Sequence, residues 1–171
     1  MQYCCTTALE TTQGTLYLRV SELSLKKSLV PGHLWSTGCG NVQLRQMIVG
    51  TGVDIAEVPR IKAAVERFGQ RFLSRVFTLE EARYCLARPN AAERLAARFA
   101  AKEAAMKALG TGLRHGVTWH DVEVVRESGG RPTLRLTGKA AEFAARLGCR
   151  TCHVSITHTV EQAMAFVILE S

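Results

Sequence analysis

The sequence has little of what marks several common classes of protein. No stretch approaches the ~20 consecutive apolar residues that span a bilayer, and the N-terminus lacks the basic and then apolar segments of a secretory signal. Aromatic residues make up only 6% of the chain, so stacking platforms for nucleic-acid bases are sparse. No run of five basic residues occurs, although Lys and Arg outnumber Asp and Glu by 22 to 15. We expect a soluble cytoplasmic protein, without membrane or nucleic-acid binding, whose net charge of +7 favours another kind of polyanion.

The cysteines show no regular disulfide pattern. Their spacing repeats nothing along the chain, so reduced thiols are the expected state. Cys149, Cys152 and His153 have the spacing of half a zinc site, but no second pair of cysteines completes it. We therefore do not expect a zinc site.

Regularly patterned sequence begins at Met47. Residues 1–46 mix Thr, Ser, Gly and Leu without a sustained period. We expect this segment to be an N-terminal extension, either poorly ordered or not native to the working domain. Residues 47–171 have the usual size of one compact domain.

The first patterned segment, 47–55, alternates as a β-strand does. One face carries Val49, Thr51, Val53 and Ile55, and the other carries Ile48, Gly50, Gly52 and Asp54. Glycine within a strand marks the close approach of another group, so Asp54 is expected beside an open space. Alternatively, Asp54 caps a helix that begins near Glu57 with Pro59 in its first turn. The local sequence supports both interpretations.

A basic helical stretch follows as far as Val76. Its cationic residues alternate at helical spacing with apolar ones, and Glu66 is the single acid between Arg60 and Arg75. This is more positive charge than a solvated face needs. Thr78 and Glu81 then form the sequence pattern of a capping box for the next helix.

The longest predicted helix covers 92–109 and ends at Gly110 and Gly112. Lys102 lies within its apolar stripe, Glu103 lies at the edge of that stripe, and Lys107 follows Glu103 by one turn. Charged residues are rarely buried without a partner, a ligand or a metal. A surface pair of Glu103 and Lys107 is the simpler alternative, but it leaves Lys102 unexplained.

The rest of the chain predicts two hairpins around a helix. The hairpins join 120–125 to 132–137 and 152–157 to 162–169, and the helix covers 139–147. The last strand is so apolar that burial on both faces is expected. The predicted fold class is α+β, a mostly antiparallel sheet with packed helices.

Asp54 and Glu103 are the predicted metal ligands. Mg²⁺ prefers hard oxygen ligands and takes one or two carboxylates together with water and substrate phosphates. Lys102 and Lys107 would add fixed cations to those phosphates, and the glycines at 110 and 112 would let the backbone approach an anion. No standard phosphate-binding loop motif is present. The residues by themselves predict a phosphate-handling metal site and do not identify its reaction.

Three segments in order resemble the holo-[acyl-carrier-protein] synthase family of 4′-phosphopantetheinyl transferases. They are IVGTGVDI at 48–55, RFAAKEA at 98–104 and HVSITHT at 153–159, and the resemblance extends from Met47 to the end. It implies the fold of that family and transfer of the 4′-phosphopantetheine arm of coenzyme A to a serine of apo acyl carrier protein. It also implies Mg²⁺, a role in fatty-acid biosynthesis, and a homotrimer whose active sites are shared between subunits.

The resemblance also implies roles for individual residues. Asp54 and Glu103 would hold the metal, Glu103 and Lys107 would be catalytic, and the coenzyme A phosphates would contact Arg98, Lys102, Lys107, Gly110 and His158. The basic helix would receive the acidic carrier protein through Arg60, Arg67, Arg71 and Arg75. Alternatives left open by the residues alone are another Mg²⁺-dependent transferase with a nucleotide cofactor, and a basic module that binds nucleic acid or an acidic protein.

Overall fold

The computed structural model describes strands β1 (Leu9–Thr12) and β2 (Thr15–Leu18) and residues 47–171. The chain divides into two units, Met1–Val42 and Gln43–Ser171. In the first unit, β1 pairs antiparallel with β2. The prediction made for residues 1–46 otherwise lies outside the described residues.

The second unit alternates strands and helices in the predicted order. No helix in the described part of the chain is both long and apolar enough to cross a membrane. The elements are β3 (Ile48–Glu57), α1 (Val58–Phe68), α2 (Gln70–Val76), α3 (Leu79–Leu86), α4 (Ala91–Ala108), β4 (Val122–Arg126), β5 (Pro132–Leu136), α5 (Gly138–Arg146), β6 (Thr151–His158) and β7 (Gln162–Glu170).

The strands of this unit form two antiparallel sheets. One has the order β3-β7-β6, and the other is the hairpin of β4 and β5. Helix α4 packs across β3 and β7, and its alanines lie in the centre of the core. The predicted α+β fold with antiparallel pairing is confirmed.

Gly50 and Gly52 allow this packing. A Cβ at Gly50 would overlap the carbonyl oxygen of Ala108, and one at Gly52 would overlap that of Ala104. The prediction that the glycines mark a close approach is therefore correct. The approaching group is the backbone of α4, so the glycines leave no open space beside Asp54.

Replacing Gly52 by Ala is expected to lower the free energy of unfolding by about 3 kcal/mol, because two backbones would have to separate. Urea denaturation measures this change. Gly129→Ala is the matched control, since a Cβ there meets nothing within 4 Å. Equal midpoints for the two variants would contradict the packing of α4 on β3.

The basic stretch folds as two helices because the chain turns at Gly69, whose φ is 51°. The N-cap residue of α1 is Glu57, and Asp54 lies three residues earlier within β3, so the interpretation of Asp54 as a cap is wrong. The predicted capping box of Thr78 and Glu81 is confirmed at the start of α3.

The last strand is not buried on both faces as predicted. Its residues alternate, with Ala163, Ala165, Val167 and Leu169 buried on the side of the core. On the other side, Met164 and Phe166 pair across the strands with Ile55 and Val53, and all four are at least 40% exposed. We call Val53, Ile55, Met164 and Phe166 the outer sheet face.

Candidate functional site

Asp54 and Lys107 meet where β3 passes beneath the C-terminal turns of α4. Lys107 Nζ donates to Asp54 Oδ1 at 2.8 Å and to the carbonyl oxygen of Val53 at 3.0 Å. The Asp54 side chain is only 16% exposed, whereas that of Lys107 is 51% exposed. The lysine can therefore leave this carboxylate without losing much packing.

Glu103 lies one turn before Lys107 on α4 and faces the same region. Burial raises the pKa of its carboxyl, and the negative charge of Asp54 raises it further, against an opposing effect of Lys107. Two carboxylates thus repel each other in a half-buried place. A bound cation would relieve this repulsion.

The donor set fits a hard divalent cation such as Mg²⁺. Two carboxylates are what such an ion commonly takes from a protein, with water and substrate phosphates as its other ligands. Within the described residues, no group of three or more His, Cys, Asp or Glu side chains forms a complete metal cage. Asp54 and Glu103 are thus suited to an ion that arrives with its substrate.

The structure does not place Lys102 with these residues, and the prediction that it contacts phosphates is wrong. Its side chain has 0% exposure and forms an ion pair with Glu81 at 2.8 Å. Its Nζ also donates to the carbonyl oxygens of Trp119 and Val122. An ammonium with three protein acceptors has no donor left for a ligand.

Glu81 is the centre of this buried network. Besides Lys102, its carboxylate accepts from the backbone N–H groups of Thr78 and Val124, both at 2.9 Å. Burial lowers the pKa of Lys102, and the charge of Glu81 opposes that effect. The network connects α3, α4 and β4, so its role is to position these elements.

A second cluster surrounds Tyr84 with cations. The guanidinium carbons of the nearby arginines lie 4.4–5.6 Å from the centre of its ring; they belong to Arg88, Arg94, Arg98 and Arg126. Burial alone would raise the pKa of the Tyr84 hydroxyl, but the hydrogen bond and charge of Arg126 and the charges of Arg94 and Arg88 together lower it.

The arginine cavity, as we name it, has a volume of about 210 Å³. It is lined by Tyr84, Arg94, Ala97, Arg98, Val124, Arg126, Pro132, Ile156 and His158. None of these is acidic. Arg98 is 7% exposed, and none of the described residues is a hydrogen-bond partner of its Nε. A buried donor without an acceptor, in a cavity lined by cations, favours an anionic ligand.

His158 lies at the end of β6 and is 36% exposed, with its Nδ1 3.3 Å from Glu93 Oε2. The structure thus brings together two of the predicted phosphate contacts, Arg98 and His158. Gly110 has open space above its Cα at a φ of 72°, but its N–H already donates to the carbonyl oxygen of Lys107. It offers a ligand room and no free backbone donor.

The basic helices border a third feature, which we call the aromatic groove. This cavity of about 590 Å³ is lined by Phe68, Arg71, Phe72, Arg75, Val76, Phe99 and Trp119. The rings of Phe99 and Trp119 pack against each other at an angle of 34°, with their centres 4.9 Å apart. Of the predicted docking residues, Arg71 and Arg75 line the groove, while Arg60 and Arg67 are exposed on α1 outside its lining.

The sequence prediction missed Tyr84, Arg94 and Arg126. Arg94 had a usable signal, because it precedes Arg98 by four residues and so shares its face of α4. No local pattern relates Tyr84 on α3 to Arg126 on β4. Their contact depends on how α3 packs against the β4–β5 hairpin.

Comparison with known proteins finds one family throughout the second unit. The model of the 4′-phosphopantetheinyl transferase superfamily matches residues 50–166. The holo-[acyl-carrier-protein] synthase of Koribacter versatilis is 63% identical over 124 residues, which cover 72% of this chain and 99% of that protein.

Solved structures agree with this match. The holo-[acyl-carrier-protein] synthase of Neisseria meningitidis is 32% identical, with a TM-score of 0.67 over 73% of this chain and 100% of that one. The synthase of Bacillus anthracis, solved in complex with coenzyme A (3′,5′-ADP), is 36% identical, with a TM-score of 0.61 over 73% and 98% of the two chains.

Proposed function

Because this chain belongs to the 4′-phosphopantetheinyl transferase superfamily, we infer that it moves the 4′-phosphopantetheine group of coenzyme A to a serine of apo acyl carrier protein. The products are holo acyl carrier protein and adenosine 3′,5′-bisphosphate, and the reaction supports fatty-acid biosynthesis. The observation that supports this reaction at a particular site is the pair of neighbouring carboxylates, Asp54 and Glu103, beside Lys107.

We propose that Asp54 and Glu103 hold Mg²⁺. When bound, the ion neutralises negative charge on the pyrophosphate of coenzyme A. The two side chains come from β3 and α4, which the glycine packing fixes against each other. This rigid support keeps both carboxylates in place before the substrate arrives.

Lys107 and Glu103 are proposed as the catalytic side chains. The mobile end of Lys107 can turn from Asp54 to a phosphate oxygen and stabilise the charge that develops there. Glu103, directly or through one water, accepts the proton of the serine hydroxyl as its oxygen bonds to the β-phosphorus. The phosphorus–oxygen bond to adenosine 3′,5′-bisphosphate breaks, and that product leaves with the electron pair.

The arginine cavity is proposed to hold a phosphate of coenzyme A. Arg98 and His158 were predicted in this role, and Arg94 and Arg126 join them from the same lining. The unpaired Nε of Arg98 gives the phosphate a buried donor. Gly110 contributes space near Lys107. Lys102 has no part in this contact.

We propose that the enzyme is a cytoplasmic homotrimer. Val53, Ile55, Met164 and Phe166 form a contiguous exposed apolar area across two paired strands, which is typical of an interface between subunits. The outer sheet face is thus the surface through which the copies would associate.

The acidic carrier protein is proposed to dock on α1 and α2. Arg60, Arg67, Arg71 and Arg75 supply attraction over a wide area, and the aromatic groove offers an apolar contact at its centre. The charges mainly raise the rate of association, whereas the groove determines how long the complex lasts.

Reversing the charge at Arg71 tests the docking surface. Arg71→Glu is expected to raise the KM for the carrier roughly tenfold and to weaken its dependence on salt, with kcat changed less than about twofold. Arg146→Glu makes the same charge change on α5 and should leave the KM near its original value. A change confined to the KM for coenzyme A would contradict docking at Arg71.

Incubation with coenzyme A, Mg²⁺ and an apo carrier protein tests the function itself. The mass of the carrier should rise by about 340 Da, the size of one phosphopantetheine group. The gain should vanish when the acceptor serine of the carrier is replaced by Ala. No gain with any of several divalent metals would contradict the function and leave a basic binding module as the better interpretation.

A further inference from the structure

Two cysteines with no part in the transfer reaction lie side by side where α5 is followed by β6. Cys149 comes shortly after the helix, Cys152 is the second residue of the strand, and their Sγ atoms are 3.7 Å apart. Both are partly exposed, whereas Cys85 is completely buried. A disulfide needs sulfurs about 2 Å apart, which small side-chain rotations can provide from this distance.

The backbone keeps the two thiols together. The N–H of Cys149 donates to the carbonyl oxygen of Ala144 at 2.9 Å, and that of Arg150 donates to Glu170 at 2.7 Å. Cys152 is paired with Leu169 within the sheet. Both ends of the Cys149–Cys152 segment are thus fixed by backbone hydrogen bonds. The two thiols can therefore react with each other without a further loss of backbone freedom.

The surroundings decide which sulfur reacts first. Burial raises the pKa of Cys152 to about 12, and the charge of Cys149 and its hydrogen bond add to this effect. Cys152 is therefore the poorer nucleophile while Cys149 is free. Burial is the largest cause and does not depend on Cys149, so Cys152 reacts only with a sulfur that is held beside it, such as that of a modified Cys149.

We propose that Cys149 and Cys152 are a reversible dithiol site that a small disulfide, such as oxidised glutathione, converts into an intramolecular disulfide. The Cys149 thiolate attacks one sulfur of the oxidant, the sulfur–sulfur bond of the oxidant breaks, and one glutathione thiolate leaves. Cys152 then loses its proton and attacks the Cys149 sulfur, which releases the second glutathione. The protein loses two protons and two electrons, and one oxidised glutathione becomes two reduced ones.

The tryptic sites around the pair allow a direct test. Trypsin cleaves after Arg146 and Arg150, so the cysteines fall on the separate peptides 147–150 and 151–171. The full chain is incubated with oxidised glutathione, its free thiols are blocked with N-ethylmaleimide, and it is unfolded and digested without reductant. The two peptides should appear joined, two hydrogens lighter than their sum, and should separate after reduction.

Single variants test the order of the steps. Cys152→Ser should accumulate glutathione on Cys149, whereas Cys149→Ser should leave Cys152 largely unmodified. Cys85 is the internal reference and should be alkylated only after unfolding. The proposal is overturned if both peptides carry the blocking group, if glutathione stays on Cys149 of the unsubstituted protein, or if either cysteine is joined to a different peptide.

Discussion

Replacing Asp54 by Asn or Glu103 by Gln is expected to lower kcat/KM for carrier modification by about 10³-fold. Each change removes one of two proposed carboxylate ligands of Mg²⁺ while keeping the shape of the side chain. The loss should appear in kcat, because an ion held by these carboxylates would stabilise charge that grows during the reaction. Initial rates measured over a range of Mg²⁺ concentrations test this expectation.

The same variants have a second measurable consequence. The pKa of Glu103 is higher in the folded protein than in the unfolded chain. Ionisation of Glu103 therefore lowers the stability of the fold as the pH rises through these two pKa values, and the loss is complete above the higher one. Glu103→Gln removes that charge and should be at least as stable as the original protein in metal-free buffer at neutral pH. In the presence of coenzyme A, Mg²⁺ should then raise the melting temperature of the original protein and not that of the variant.

A charge-matched control separates the site from general effects. Glu142 lies on the exposed surface of α5, where it pairs with Lys139 and Arg146. Glu142→Gln should leave both the rate and its dependence on Mg²⁺ unchanged. Undiminished transfer by both the Asp54 and the Glu103 variants would refute the metal assignment.

Much of the fold could be predicted because it depends on short-range signals. The capping box at Thr78, the break after α4 and both hairpin turns belong to segments of a few residues. The glycines at 50 and 52 also indicated a close approach. That the approaching group is α4 could not be predicted, because it depends on contacts between residues about 50 positions apart in the sequence.

The last strand shows the limit of reasoning from composition. Met164 and Phe166 are as apolar as the buried residues that alternate with them along the strand, so the sequence predicted burial of both faces. Within the described part of the chain, only one face is covered, by α4. A second apolar face on a strand therefore indicates a contact without identifying what makes it.

Lys102 shows the same limit for charges. Its place in an apolar stripe indicated correctly that it needs a partner. A ligand phosphate and an acidic residue of the same chain would both meet that need, so the sequence could not distinguish them. The acid is Glu81, on a different helix, where the sequence assigned it only to a capping box. The capping box uses one carboxylate oxygen of Glu81, and the other oxygen accepts from the backbone N–H of Val124.

Lys102→Met is expected to lower the free energy of unfolding by about 3–5 kcal/mol, the usual cost of leaving one partner of a buried ion pair alone. Glu81 would keep the N–H donors of Thr78 and Val124 but lose the ammonium group of Lys102, which lies at 2.8 Å. The carbonyl oxygens of Trp119 and Val122 would lose a donor as well. Urea denaturation with linear extrapolation measures the change.

The control for this variant is Lys62→Met. Lys62 pairs with Glu66 at 3.9 Å, and both side chains are about two-thirds exposed, at 66% and 65%, so the change should cost less than ~0.5 kcal/mol.

A double-mutant cycle tests the ion pair itself. The double variant Lys102→Met, Glu81→Leu should be more stable than Lys102→Met alone, because it leaves no buried charge unpaired. The KM for coenzyme A in the folded fraction should not change. A raised KM with unchanged stability would instead restore Lys102 to the phosphate site and contradict its burial against Glu81.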